Sequence, residues 1–181
     1  MDGISSKPST INVQNEIEFT DYEYYVLYNF FVTYSLCNNQ SKKQRKLSDY
    51  GCKKNKVFKE GIKNNIVFEK GTFDVSKNET LVSAELVNYD LTDNKIFDLT
   101  WERGLFAYID SENDPLNIMF YYIRNSLAHG DYVIKRNNSN EKVLIMQSSL
   151  GKSIRARTVI KLETILNIIK IIDNNKIIIK E

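Results

Sequence analysis

The spacing of apolar residues changes along the chain. In the N-terminal part the readable stretches repeat at helical intervals, between Tyr132 and Thr158 they alternate, and from Val159 the helical interval returns. Thr20-Asp21-Tyr22-Glu23 has the hydroxyl and the carboxylate of a capping box, and predicts a helix from about Asp21 to Leu36. Tyr22, Val26, Asn29 and Thr33 share one stripe of it. Tyr25, Phe30, Phe31 and Tyr34 widen the apolar surface, so much of the circumference is expected to be buried. Between Gly61 and Phe97 the pattern is weak. Ile66-Val67-Phe68 is too short to assign, and Asn78 to Leu91 has helical spacing through Leu81, Ala84, Leu86 and Val87. Thr100-Trp101-Glu102-Arg103 reads as the start of another helix toward Ile109, with Trp101 a core residue.

Asp114-Pro115 is a stronger start signal. Asp suits an N-cap, and Pro suits the first helical position, where its missing N–H would have no partner anyway. The helix is expected to run from Leu116 to His129 and to stop at Gly130. Tyr132-Val133-Ile134-Lys135-Arg136 and Lys142-Val143-Leu144-Ile145-Met146 then flank four polar residues and read as a β-hairpin, with Ser153 to Thr158 as a third strand. Thr158 is expected to cap a last helix from Val159 to Ile172, with Leu162, Ile165, Leu166 and Ile169 on its apolar stripe. The predicted fold class is therefore mainly α: a helical bundle with a small β-hairpin appendage near the C-terminus. Residues 1–19 are read as a loose arm and residues 20–181 as a single domain.

Composition narrows the class of protein. Hydrophobic residues at 42% and charged residues at 27% fit a globular chain with a core, not a disordered one. Seven Gly and two Pro in 181 residues favour long regular elements over a turn-rich sandwich. The net charge of +2 neither requires nor excludes nucleic acid. Ser41 to Lys59 holds a run of lysines and Arg45, which reads as a solvated face or as a contact for RNA phosphates. Cys37 and Cys52 form no CxxC pair, Met1 to Glu18 has no signal-peptide pattern, and no apolar run is long enough to span a bilayer, so the expected location is the cytoplasm. The phosphate-loop, dinucleotide, zinc-protease and nucleophile-elbow motifs do not occur, and no metal or other cofactor is expected.

His129 is the only histidine. Asn125 lies one helical turn before it on the same face. Arg124 lies five residues before it, about 140° around an ideal helix and about 7.5 Å along it, so the two side chains border a common groove. A guanidinium that forks onto phosphate oxygens, beside an imidazole able to move a proton near neutral pH, suits phosphodiester chemistry.

Ile123-Arg124-Asn125-Ser126-Leu127-Ala128-His129-Gly130 resembles the signature of HEPN domains: Arg, a polar residue, a short spacer and His on a long helix of an α-helical bundle. The Arg-Asn start and Ala-His-Gly end resemble bacterial HEPN ribonucleases of toxin and phage-defence systems. The resemblance implies metal-independent RNA cleavage, with Arg124, Asn125 and His129 as the catalytic residues. It also implies a toxin or abortive-infection role with an antitoxin or regulatory protein as partner. One subgroup of the family has Tyr two residues after the His; here that place holds Asp131, and Tyr132 comes one later.

Cleavage through the RNA's own 2′-hydroxyl needs one proton removed, one delivered, and charge stabilised on the phosphate. One chain holds a single imidazole, so a homodimer that brings two copies of the helix together is expected. Which copy of His129 is acid and which is base stays open. Lys152, Arg155 and Arg157 are candidate contacts to the RNA backbone, the two arginines alternating onto one strand face. Tyr132 is a candidate for stacking on a base. The alternative is a non-catalytic HEPN-like module that binds a nucleotide or a protein and regulates a partner.

Overall fold

The computed structural model describes residues 17–34, 56–78, 83–110 and 114–178. Both cysteines, most of the predicted N-terminal arm, most of the basic stretch from Ser41 and the last residues of the first predicted helix lie outside these.

The fold is a mixed α/β arrangement, which overturns the mainly α expectation. Five strands, β1 (Phe73–Ser76), β2 (Arg103–Ala107), β3 (Tyr132–Arg136), β4 (Lys142–Leu150) and β5 (Ser153–Lys161), form one sheet in the order β1-β2-β5-β4-β3. β1 and β2 are parallel, and the other pairs are antiparallel. The predicted hairpin and third strand are present as β3, β4 and β5, but they are the body of the sheet and not an appendage. β4 is buried at six consecutive positions, Val143 to Ser148. Side chains alternate along a strand, so both of its faces are covered.

Two expectations fail for identifiable reasons. The stretch expected to be helical toward Ile109 contains β2, which is buried at all five positions. A fully buried strand has no polar alternation, and its short apolar run has no period that separates it from a helix. Thr158 caps nothing: it sits inside β5, and its hydroxyl donates to the Arg103 carbonyl at 2.9 Å. The last helix begins later, at Leu162.

The helices are α1 (Asp21–Leu27), α2 (Lys56–Lys63), α3 (Ser83–Val87), α4 (Pro115–His129) and α5 (Leu162–Ile178). α1 begins with the predicted capping box between Thr20 and Glu23 and passes into a π-helical turn, Tyr28–Thr33. Phe30 and Phe31 of that turn meet Phe120 of α4 edge to face, at 6.0 and 5.4 Å between ring centres. α4 starts as expected, with Asp114 as N-cap accepting from the Leu116 N–H and Pro115 in the first turn. It ends at Gly130, whose φ of 73° is the left-handed conformation that glycine adopts without strain. α4 packs against β4, β2, β1 and the π-helical turn, while α5 packs against β4, β5 and α2. Among the described residues no helix is long and apolar enough to cross a membrane.

Candidate functional site

The exposed end of α4 faces a groove of about 500 Å³. The stripe of α4 that carries Ile118, Met119, Ile123 and Leu127 is buried, which leaves Tyr121, Arg124 and Asn125 half-buried and Ala128 and His129 exposed. Three bonds fix the helix end over the sheet. The Asp131 N–H donates to the Ser126 carbonyl at 2.9 Å, the Ser126 hydroxyl donates to the Gln147 carbonyl at 2.9 Å, and the Gln147 N–H donates to the Asp131 carbonyl at 3.0 Å. The turn at Gly130 therefore sets Asp131 beside His129 at the start of β3.

Four of the residues nominated from sequence line this groove: Arg124, Asn125, His129 and Arg155. Arg124 Nη1 donates to Asn125 Oδ1 at 3.0 Å, so Asn125 steadies the guanidinium. Arg155 lies near the Tyr122 hydroxyl. Burial pushes that phenol above its ordinary pKa, and the Arg155 cation offsets only part of the rise.

The other nominated residues lie elsewhere. Arg157 is 2% exposed; it donates to Gln147 Oε1 at 2.8 Å and to the Leu91 carbonyl at 2.9 Å, and pairs with Asp93 at 2.6 Å. Its guanidinium ties β5 to the 91–93 loop. Tyr132 is half-buried, its ring 5.5 Å from that of Phe19 and its hydroxyl 3.4 Å from the Tyr28 hydroxyl. Lys152 is exposed in the turn between β4 and β5, outside the groove lining.

The divergence of Arg155 from Arg157 has a structural cause. Ser148 pairs with Ala156 and Ser149 pairs with Ile154, so the register passes over Arg155 as the extra residue of a β-bulge. A bulge bends its strand and re-aims the extra side chain. The same irregularity lets consecutive residues, Ser148 and Ser149, both line the groove. Strict alternation, the basis for placing both arginines on one face, does not hold across it.

Sequence reasoning missed the opposite wall, made by Tyr108, Ile109 and Asp110 after β2. No motif marks these positions; adjacency to α4 arises only through the sheet. Among the described residues, no three His, Cys, Asp or Glu side chains are placed together to hold a metal ion. A second groove, of about 520 Å³, lies between residues 97–100 and 135–139, and none of the nominated residues lines it. No protein-family model, curated protein or solved structure matches this chain.

Proposed function

We propose that this chain is a metal-independent endoribonuclease that cuts in the α4 groove by attack of the substrate's own 2′-hydroxyl. The observation that carries the reading is the convergence of Arg124, Arg155 and His129 in one open groove. In the reaction a bond forms between the 2′-oxygen and phosphorus while the bond to the 5′-oxygen breaks. One proton leaves the 2′-hydroxyl and one arrives at the departing 5′-oxygen, giving a 2′,3′-cyclic phosphate and a 5′-hydroxyl end.

Arg124 and Arg155 hold the phosphate oxygens and stabilise charge that grows in the transition state. Asn125 keeps Arg124 aimed, and His129 moves a proton. A homodimer brings in the second imidazole, and the exposure of Ala128 and His129 leaves that end of α4 open to a second copy. The likeness to HEPN ribonucleases supports this reading through the Arg124–His129 motif. By the same likeness the biological role is a cytoplasmic toxin or phage-defence enzyme, restrained by an antitoxin or regulatory protein.

The test is incubation of purified protein with single-stranded RNA in EDTA. Wild type is expected to leave cyclic-phosphate ends, and His129→Ala and Arg124→Ala each to slow cleavage by roughly a hundredfold or more. Cleavage unchanged by His129→Ala refutes the proposal. RNA binding without cutting, equal in all three proteins, points to the binding module instead.

A further inference from the structure

The groove has two distinct ends with the arginines between them. Phe106 of β2, Ala156 of β5 and Ser148 of β4 form one row across the sheet. Tyr108, Ile109 and Asp110 continue from the β2 end of that row, and Asp131 borders its β4–β3 end through the bond to the Gln147 N–H. Adjacent strands lie about 4.8 Å apart, so the β2 and β3 sides are separated by roughly 14 Å. α4 crosses the row in the same sense. Tyr122 stacks on Phe106 at 6.2 Å, which fixes the Tyr121–Tyr122 end over β2, while His129 lies two turns further on, beside Asp131. Arg124 and Arg155 fall in the middle.

The β2 end has its own chemistry. Tyr108, Ile109 and Tyr121 are half-buried there, so aromatic and aliphatic surface reaches the groove, and the exposed Asp110 also lines it. Tyrosine rings hold flat heterocycles by stacking. An ionised carboxylate only accepts hydrogen bonds. Of the four RNA bases, guanine alone presents two adjacent donors on its Watson–Crick edge, N1–H and N2–H, which the two oxygens of one carboxylate can accept from together, its O6 acceptor lying outside that pair. Adenine and cytosine set one amino donor beside an acceptor, and uracil has one donor between two acceptors.

We propose that the β2 end of the groove is a base subsite selective for guanine, in which Tyr108 and Tyr121 hold the base and Asp110 accepts from N1–H and N2–H, while Arg124 and Arg155 hold its phosphate. This rests on the reading of the groove as an RNA site and adds the base at which the chain is held. Asp110 chooses the substrate, and the His129 end does the proton transfer.

Binding of the four nucleoside 3′-monophosphates, measured by calorimetry, tests the subsite without cleavage. Guanosine 3′-monophosphate is expected to bind roughly tenfold to a hundredfold more tightly than the other three, the range of a good bidentate contact. Asp110→Asn should abolish that preference and leave the weaker binding common to all four, because the amide then faces one donor with another. Arg124→Ala with Arg155→Ala should weaken all four alike. Equal binding of the four nucleotides, no binding of any, or a guanine preference that survives Asp110→Asn each overturns the proposal. None of these results bears on cleavage, which the RNA assay with His129→Ala decides separately. A guanine preference in a protein that cuts no RNA leaves the subsite standing and removes the nuclease.

Discussion

Arg103 has no exposed surface, yet its guanidinium bonds to no carboxylate. It donates to the carbonyls of Asp90, Lys95, Asp98 and Trp101 at 2.8 to 3.2 Å and lies over the Trp101 ring at 4.8 Å. Burial lowers its pKa, and the nearby Asp98 and Asp90 charges oppose that. One side chain thus organises the loop before β2. Arg103→Met keeps most of the volume but leaves those carbonyls without their donor. Stability is expected to fall by about 3 kcal/mol or more, read as a lower urea midpoint. Arg103→Lys is expected to rescue little, because an ammonium cannot span carbonyls that a planar fork can. An unchanged midpoint in the Met variant would remove Arg103 from this role. Residues of this kind were not legible in the sequence. The caps at Thr20, Asp114 and Gly130 were, because each cap bonds within a few positions of itself. Arg103 reaches back 13 positions to Asp90, and Arg157 reaches 66 to Leu91, over segments whose fold had to be known first.

At the scale of elements, α1 is joined to the sheet through its own cap. Glu23 completes the capping box and also pairs with Lys142 of β4 at 2.6 Å, both side chains less than one-fifth exposed. Burial pulls the Glu23 carboxyl upward, but Lys142 and the Thr20 groups outweigh it and hold the pKa below its ordinary value near 4.5. A carboxyl more acidic in the folded state stabilises above its unfolded pKa, and that stabilisation is lost as pH falls through the folded value. Glu23→Gln is therefore expected to cost about 1 kcal/mol at pH 7, and the gap to wild type should close as the pH falls below the ordinary carboxyl value and through the lower folded one. Thermal melts at a series of pH values measure this; a gap independent of pH would show that the pair contributes nothing through its charge. Strands differ in how openly they are written. β3 and the two ends of β4 and β5 keep enough exposed positions, such as Arg136 and Leu150, for their turns and period to be read. β1 has four residues and β2 is wholly buried, so neither has a pattern to find.

For the molecule as a whole, the class was misread because of those two short strands. β1 and β2 pair in parallel across residues 77–102, a contact that no local signal announces. Without them β3 to β5 look like an addition to helices. With them β5 becomes the centre of a sheet, and α4 is set where its polar end overlooks the bulge. The Arg124–His129 wall of the groove was readable because it lies on one helix; the Tyr108–Asp110 wall was not, because only the sheet brings it near. The dimer proposal belongs to this scale. If two copies of His129 share each cut, activity per mole of protein should fall as the enzyme is diluted through dimer dissociation, followed in parallel by light scattering. Constant specific activity in a solution shown to be monomeric would mean that one groove suffices.

The β-bulge opposite Ser148 and Ser149 makes sheet regularity and groove chemistry rivals. An uninterrupted ladder would seat Arg155 across from Ser149 and return it to the alternation that carries Arg157 inward. Mending this strand pair to harden the fold would thus strip the groove of one of its two guanidinium groups. The defect in the weave is what keeps a positive charge on the outside.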